Sequence, residues 1–125
     1  MINQIFVYGT LKCGKSNHRL LEGKYLSVRP VATYGLLFDL GYYPAAWLRG
    51  NRFIYGEVFE FENAEEVLPS LDMLEGHPTH YRRVLVPMFN PETLEADGTE
   101  AWAYEYHREL GSDLLIPSGM WSGSR

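Results

Sequence analysis

Glu75 has the spacing that proton chemistry needs. With residues 64–75 set at helical spacing, Val67, Leu68, Leu71 and Leu74 form an inward stripe, and Glu75 follows Leu71 by four positions on the same face. The pattern turns a carboxylate toward the core. Glu75 also falls in the last turn before Gly76, where the negative end of the helix dipole disfavours its charge. Burial acts in the same direction, lifting the carboxyl toward the range in which a general base works at neutral pH. A second reading stands beside this one: Glu75 reaches solvent, or pairs with Arg82 or Arg83 as a structural ion pair.

The other chemically suggestive stretch is Ile5-Phe6-Val7-Tyr8-Gly9-Thr10-Leu11. Ile5, Phe6 and Val7 read as a short buried strand, and Gly9 ends it with backbone freedom and no Cβ to block a ligand. The N–H groups of Gly9, Thr10 and Leu11 then have the makings of a small anion nest, although the same residues also suit an ordinary strand ending. The remaining candidates are weaker. His77 and His80 flank Pro78 with no cysteine or clustered carboxylate at ligand spacing, so no metal site is expected. Cys13 has no identifiable activating partner, and Ser118, Ser122 and Ser124 lie outside any nucleophile elbow. No phosphate loop or dinucleotide fingerprint is present.

Positioning these residues falls to short elements. Ser16 or Asn17 is placed to cap a two-turn helix ending at Glu22, with Leu20 and Leu21 turned inward and Gly23 behind it. Residues 31–40 read as a strand closed by Gly41; in residues 42–48, Pro44 points to an edge or a bulge. Residues 49–52 have the composition of a hairpin turn leading into the clearest strand, residues 53–61. There Tyr55, Glu57, Phe59 and Phe61 face one side, and Ile54, Val58 and Glu60 the other. Asn63 is set to cap a helical turn with Glu66 at N3; Pro69 breaks it and starts a second helix that Gly76 and Pro78 terminate. Residues 81–89 form a strand with an edge or bulge at Pro87, residues 90–99 a polar loop, and residues 101–106 the last strand. Ile116 and Trp121 anchor an irregular tail across the body. Many strands and few helices indicate an α+β domain: a small, mostly antiparallel β-barrel carrying two short helices.

Composition sets the remaining bounds. At 125 residues the chain reads as one domain, 1–125, and nine tyrosines and six phenylalanines favour strands. The net charge of −5, with 11 scattered Lys and Arg residues, argues against a nucleic-acid partner. A single cysteine excludes an intramolecular disulfide and points to a reducing compartment. With no membrane-length apolar run and no positively charged leader at its start, the expected location is the cytoplasm, with no membrane partner.

Val7-Tyr8-Gly9-Thr10-Leu11 together with Leu71-Asp72-Met73-Leu74-Glu75-Gly76, followed by Tyr81-Arg82-Arg83, resembles the γ-glutamylcyclotransferase-like family, closest to its small branch that includes γ-glutamylamine cyclotransferases. The resemblance runs on through Gly35, Tyr43-Pro44, Gly56-Glu57-Val58 and Ala103-Tyr104. It implies a barrel with a cavity, a substrate-binding loop at Tyr8, Gly9, Thr10 and Leu11, and a catalytic glutamate at Glu75. Tyr34, Trp47, Tyr81 and Tyr104 are candidate pocket walls as well as core aromatics. The implied reaction releases an amine or amino acid from a small γ-glutamyl substrate while the glutamyl part closes to 5-oxoproline, and it calls for no cofactor. The alternative is a non-catalytic module that holds an amino-acid-like ligand in the same cavity.

Overall fold

The computed structural model describes residues 2–9, 11–15, 17–41, 43–106 and 108–121. The described residues form seven strands: β1 (Gln4–Val7), β2 (Ser27–Tyr34), β3 (Leu36–Asp39), β4 (Pro44–Trp47), β5 (Phe53–Glu60), β6 (Tyr81–Phe89) and β7 (Ala96–Tyr106). The order β1-β5-β2-β6-β7 closes into a barrel, with β3 and β4 forming a separate two-stranded sheet. Every barrel pairing is antiparallel except the closing one, where β1 runs parallel to β7 through Ile5 and Trp102. This is the mostly antiparallel barrel the sequence predicts.

Strands whose two faces are both covered explain the apolar runs. Alternate residues of β1 divide between two cores: Phe6 joins Val31, Ile54, Val58, Val86, Met88, Ala101 and Ala103, drawn from all five barrel strands. Ile5 and Val7 join Phe59, Tyr104 and Tyr106 beneath the helix α1 (Leu68–Glu75), which contributes Leu68 and Leu71. One strand therefore serves both layers, which is why Ile5, Phe6 and Val7 are all apolar.

Several expected elements differ. The first expected helix is a single 3₁₀ turn at His18–Leu20, and Asn17 makes no side-chain cap bond; Ser16, the other candidate cap, lies outside the described residues. A turn that short never pays back helix nucleation, so packing of Leu21 and His18 holds it instead. The expected strand over residues 31–40 is two strands in different sheets. Gly35 divides them at φ +154°, and a Cβ there would meet Trp47 O at 2.6 Å and Ile54 Cδ1 at 2.7 Å. Residues 49–52 join β4 to β5 without making a hairpin, since those strands also lie in different sheets. The polar loop ends earlier than expected, because β7 already pairs with β6 at Ala96 and Phe89. The ladder shifts register between Pro87 and Phe89, at the bulge that a proline without an N–H demands. The tail crosses the body through Ile116 N–H to Leu37 O at 2.7 Å and Tyr55 N–H to Gly119 O at 2.8 Å. Among the described residues no helix is long and apolar enough to cross a membrane.

Candidate active site

Local sequence places Glu75 at the final position of α1. Asn63 Oδ1 accepts from Glu65 N–H to start a 3₁₀ turn at Ala64–Glu66, and α1 begins afresh with Pro69 in its first turn. Gly76, at φ +66°, ends it; the Gly76 N–H donates to Met73 O, and the His77 N–H to Asp72 O at 2.9 Å. A glycine at this left-handed position satisfies the last carbonyls without Cβ strain. Leu71 is fully buried, but Leu74, expected on the inward stripe, is 42% exposed. The last turn of α1 overhangs a cavity instead of the core, so Leu74 and Glu75 both line that cavity.

The cavity holds about 450 Å³, room for a small metabolite. Glu75 shares it with Tyr8, Gly9 and Leu11 from the end of β1 and with Tyr81 and Tyr104 from β6 and β7. Thr10, the remaining member of the expected loop, lies outside the described residues. Tyr34 and Trp47 do not line this cavity. Tyr34, at the end of β2, meets Phe89 edge-on at 6.4 Å, whereas Trp47 packs against Phe38 at 4.6 Å and donates its indole N–H to Arg108 O. Tyr43, Pro44, His80 and Asn17 complete the cavity without having stood out in the sequence as wall residues. Tyr43-Pro44 carried a signal in the resemblance; Asn17 and His80 become neighbours of the site only through the fold.

Arg82 and Arg83 do not neutralise Glu75. Arg83 pairs with Asp72 at 3.0 Å and Arg82 with Glu105 at 3.2 Å, so each already has a carboxylate. The tyrosine hydroxyls are committed as well: Tyr8 donates to Tyr104 O at 2.6 Å, Tyr81 to Pro44 O at 2.8 Å, and Tyr104 to Asp72 Oδ1 at 2.6 Å. Burial pushes all three phenols upward, so they stay protonated donors at neutral pH. Among the described residues no compensating charge or donor reaches Glu75, and desolvation raises its carboxyl to about 7. An acid poised there exchanges protons readily at neutral pH.

The turn facing Glu75 is held from several sides. Gly9 O accepts from Lys12 N–H at 3.1 Å, Cys13 N–H donates to Glu57 Oε1 at 2.8 Å, and the His18 ring bonds Leu11 O through Nδ1 at 3.0 Å. Gly9 is required less for dihedral freedom than for space, since a Cβ would lie 2.7 Å from Pro44 Cγ. Among the described residues no hydrogen-bond partner is present for the Gly9 or Leu11 N–H.

The family model for γ-glutamyl cyclotransferase, AIG2-like, matches residues 5–123, nearly the whole chain. The chain belongs to this γ-glutamylcyclotransferase family. A Vibrio cholerae relative, provisionally named a γ-glutamylcyclotransferase, is 36% identical over 97% of this chain and 96% of its own. A Niallia circulans relative, named γ-L-glutamyl-butirosin B γ-glutamyl cyclotransferase, is 35% identical over 84% of this chain and 67% of its own. In three dimensions an uncharacterized Pyrococcus horikoshii protein superposes with a TM-score of 0.69 at 27% identity, covering 96% of this chain and 89% of that one. Among the described residues of this family member, no group of three or more His, Cys, Asp or Glu is arranged to hold a metal ion.

Proposed function

We propose that this chain releases an amine or amino acid from a γ-glutamyl substrate with formation of 5-oxoproline, and that Glu75 is its general acid and base. One observation carries the proposal: a carboxyl poised at about 7 in the cavity that Gly9 and Leu11 also line. The substrate supplies its own nucleophile. Glu75 takes a proton from the α-ammonium, the freed amine attacks the γ-carbonyl, and a nitrogen–carbon bond forms as the carbonyl oxygen gains charge. Backbone donors of the first turn hold the α-carboxylate or that oxygen. Glu75 gives its proton to the original nitrogen and takes the second proton from the ring nitrogen, so that the tetrahedral carbon expels the amine as the carbonyl re-forms, and that second proton passes from Glu75 to the released amine. Folding the substrate into the ring-closing conformation accounts for much of the rate, since orientation alone is worth roughly 7–11 kcal/mol in well-held intramolecular reactions.

The relative named for γ-L-glutamyl-butirosin B supports the γ-glutamyl group as the recognised part. The test is incubation with γ-glutamyl-ε-lysine, several γ-glutamyl amino acids and γ-L-glutamyl-butirosin B while 5-oxoproline is measured. Turnover of one or more is expected, with kcat rising about tenfold per pH unit below 7 and levelling above it, because the base must first lose its proton. Tight binding of a panel member without 5-oxoproline would instead make the domain a binding module. A rate flat from pH 5 to 8 would remove Glu75 from the proton transfers.

A further inference from the structure

Tyr104 joins the two halves of the cavity. Its hydroxyl donates to Asp72 Oδ1 at 2.6 Å, and Asp72 stands on α1 one turn before Glu75. Its carbonyl accepts from the Tyr8 hydroxyl at 2.6 Å, and Tyr8 precedes Gly9 in the facing turn. The neighbouring cation adds a second tie between α1 and the barrel: Arg83, opposite Tyr104 in the β6–β7 ladder, pairs with Asp72 and lies 4.5 Å over the Trp102 ring. The two ties are not equivalent. The Arg83 and Asp72 side chains are 22% and 23% exposed, so water weakens their attraction, whereas Tyr104 is 3% exposed and its hydroxyl bond is short.

From this geometry we infer that Tyr104 is a positioning residue: through Asp72 on one side and Tyr8 on the other, it sets the separation between the Glu75 carboxylate and the turn at Gly9. The inference rests on the proposed role of Glu75, and it goes beyond counting Tyr104 as pocket wall. Among the described residues the groups facing Glu75 are Tyr8 just after β1, Tyr81 from β6 and Tyr104 from β7, with Tyr43 and His80 along the same cavity. None of these three tyrosine hydroxyls donates to Glu75, so its sheltering depends on where α1 is held. Loss of the Tyr104 hydroxyl frees the last turn of α1 to lift, admits water to the carboxylate and disturbs its aim at the substrate.

Tyr104→Phe tests this, because it keeps the ring and the backbone carbonyl and deletes only the donor. On a substrate that the wild type turns over, kcat is expected to fall about 30-fold with KM within threefold. Independently of turnover, the Glu75 ¹³Cδ titration midpoint, assigned by its disappearance in Glu75→Gln, is expected to move at least one unit from about 7 toward the ordinary carboxylate value. Asp72→Ala removes the acceptor from the other end and is expected to reproduce both effects. Arg83→Met leaves the hydroxyl bond in place and is expected to stay within threefold. The inference is overturned by an unmoved midpoint with kcat within threefold, by a rise in KM alone, or by an effect carried by Arg83→Met instead. A wild type inactive on the whole panel would remove the cyclisation reading while the titration still decides the positioning role.

Discussion

Replacing Glu75 with glutamine is expected to lower kcat for 5-oxoproline release by about 10³-fold, while KM changes little and the fold becomes more stable above pH 7. General acid–base groups contribute about 10²–10⁴-fold, and in the proposed mechanism one carboxyl serves both proton transfers. Glutamine has the same shape and cannot carry a proton between two nitrogens. The stability gain follows from the same burial. In the unfolded chain the carboxyl titrates near 4.5; in the fold it is raised to about 7. Below pH 4.5 both states hold the proton and the site costs nothing. As pH rises from 4.5 through 7, the unfolded chain has lost a proton that the native state still binds, so stability falls, and above 7 the full cost is present. Such a shift corresponds to about 3 kcal/mol at most, and partial solvent access brings it nearer 2 kcal/mol. Glutamine avoids this cost. Thermal melts of both proteins at pH 5 and pH 8 are expected to diverge, the variant gaining on the wild type as pH increases. A variant that keeps more than a tenth of wild-type kcat would show that another group moves the proton, and a pH-independent difference in melting temperature would show that Glu75 is not held protonated.

Glu75 was legible because everything that places it is local. Leu71 fixes the face, Pro69 restarts the helix and Gly76 ends it, all within two turns. The strand at Tyr81–Phe89 was legible for a similar reason, having alternation and a proline that marks its own bulge. Contacts between distant segments were not. Gly35 looks like any strand glycine until Trp47 O and Ile54 come to rest where its Cβ would be. Leu74 has the right spacing for burial, yet its turn faces a cavity whose other wall comes from Tyr8, Gly9, Leu11, Tyr43 and Pro44. Aromatic residues were the least informative: Trp47 and Tyr81 are equally suited to a wall, and only the fold sends one to Phe38 and Arg108 and the other to the cavity. Even the question of whether Arg82 or Arg83 quenches Glu75 is settled at a distance, by Glu105 on β7 and Asp72 on α1.

Gly56→Ala is expected to destabilise the protein by about 3 kcal/mol and lower its melting temperature by on the order of 10 °C, with the damage directed at the site. Gly56 lies in β5 opposite Val31 of β2, and its φ is not in the left-handed region, so backbone freedom is not what the glycine supplies. It supplies room. A Cβ would run into Val7 O and stand 3.0 Å from Phe6 Cζ, and the first of these is main chain at the last residue of β1. A flexible side chain can swing aside; a carbonyl in the β1–β5 ladder moves only with its strand, where Val7 pairs with Glu57. Tyr8, Gly9 and Leu11 follow directly, and Glu57 also anchors the Cys13 N–H, so both supports of the first turn shift together. On any substrate the wild type turns over, KM is therefore expected to rise at temperatures where the variant is still folded. Gly41→Ala separates this contact from the general cost of adding a methyl. That position has φ +102° but nothing within 4 Å of the added Cβ, so its cost is backbone strain of about 1 kcal/mol and KM stays unchanged. Equal losses in the two variants would mean that β1 yields without resistance, and the rigid approach of the first turn to Glu75 would then have to come from its hydrogen bonds to Glu57, His18 and Tyr104 alone.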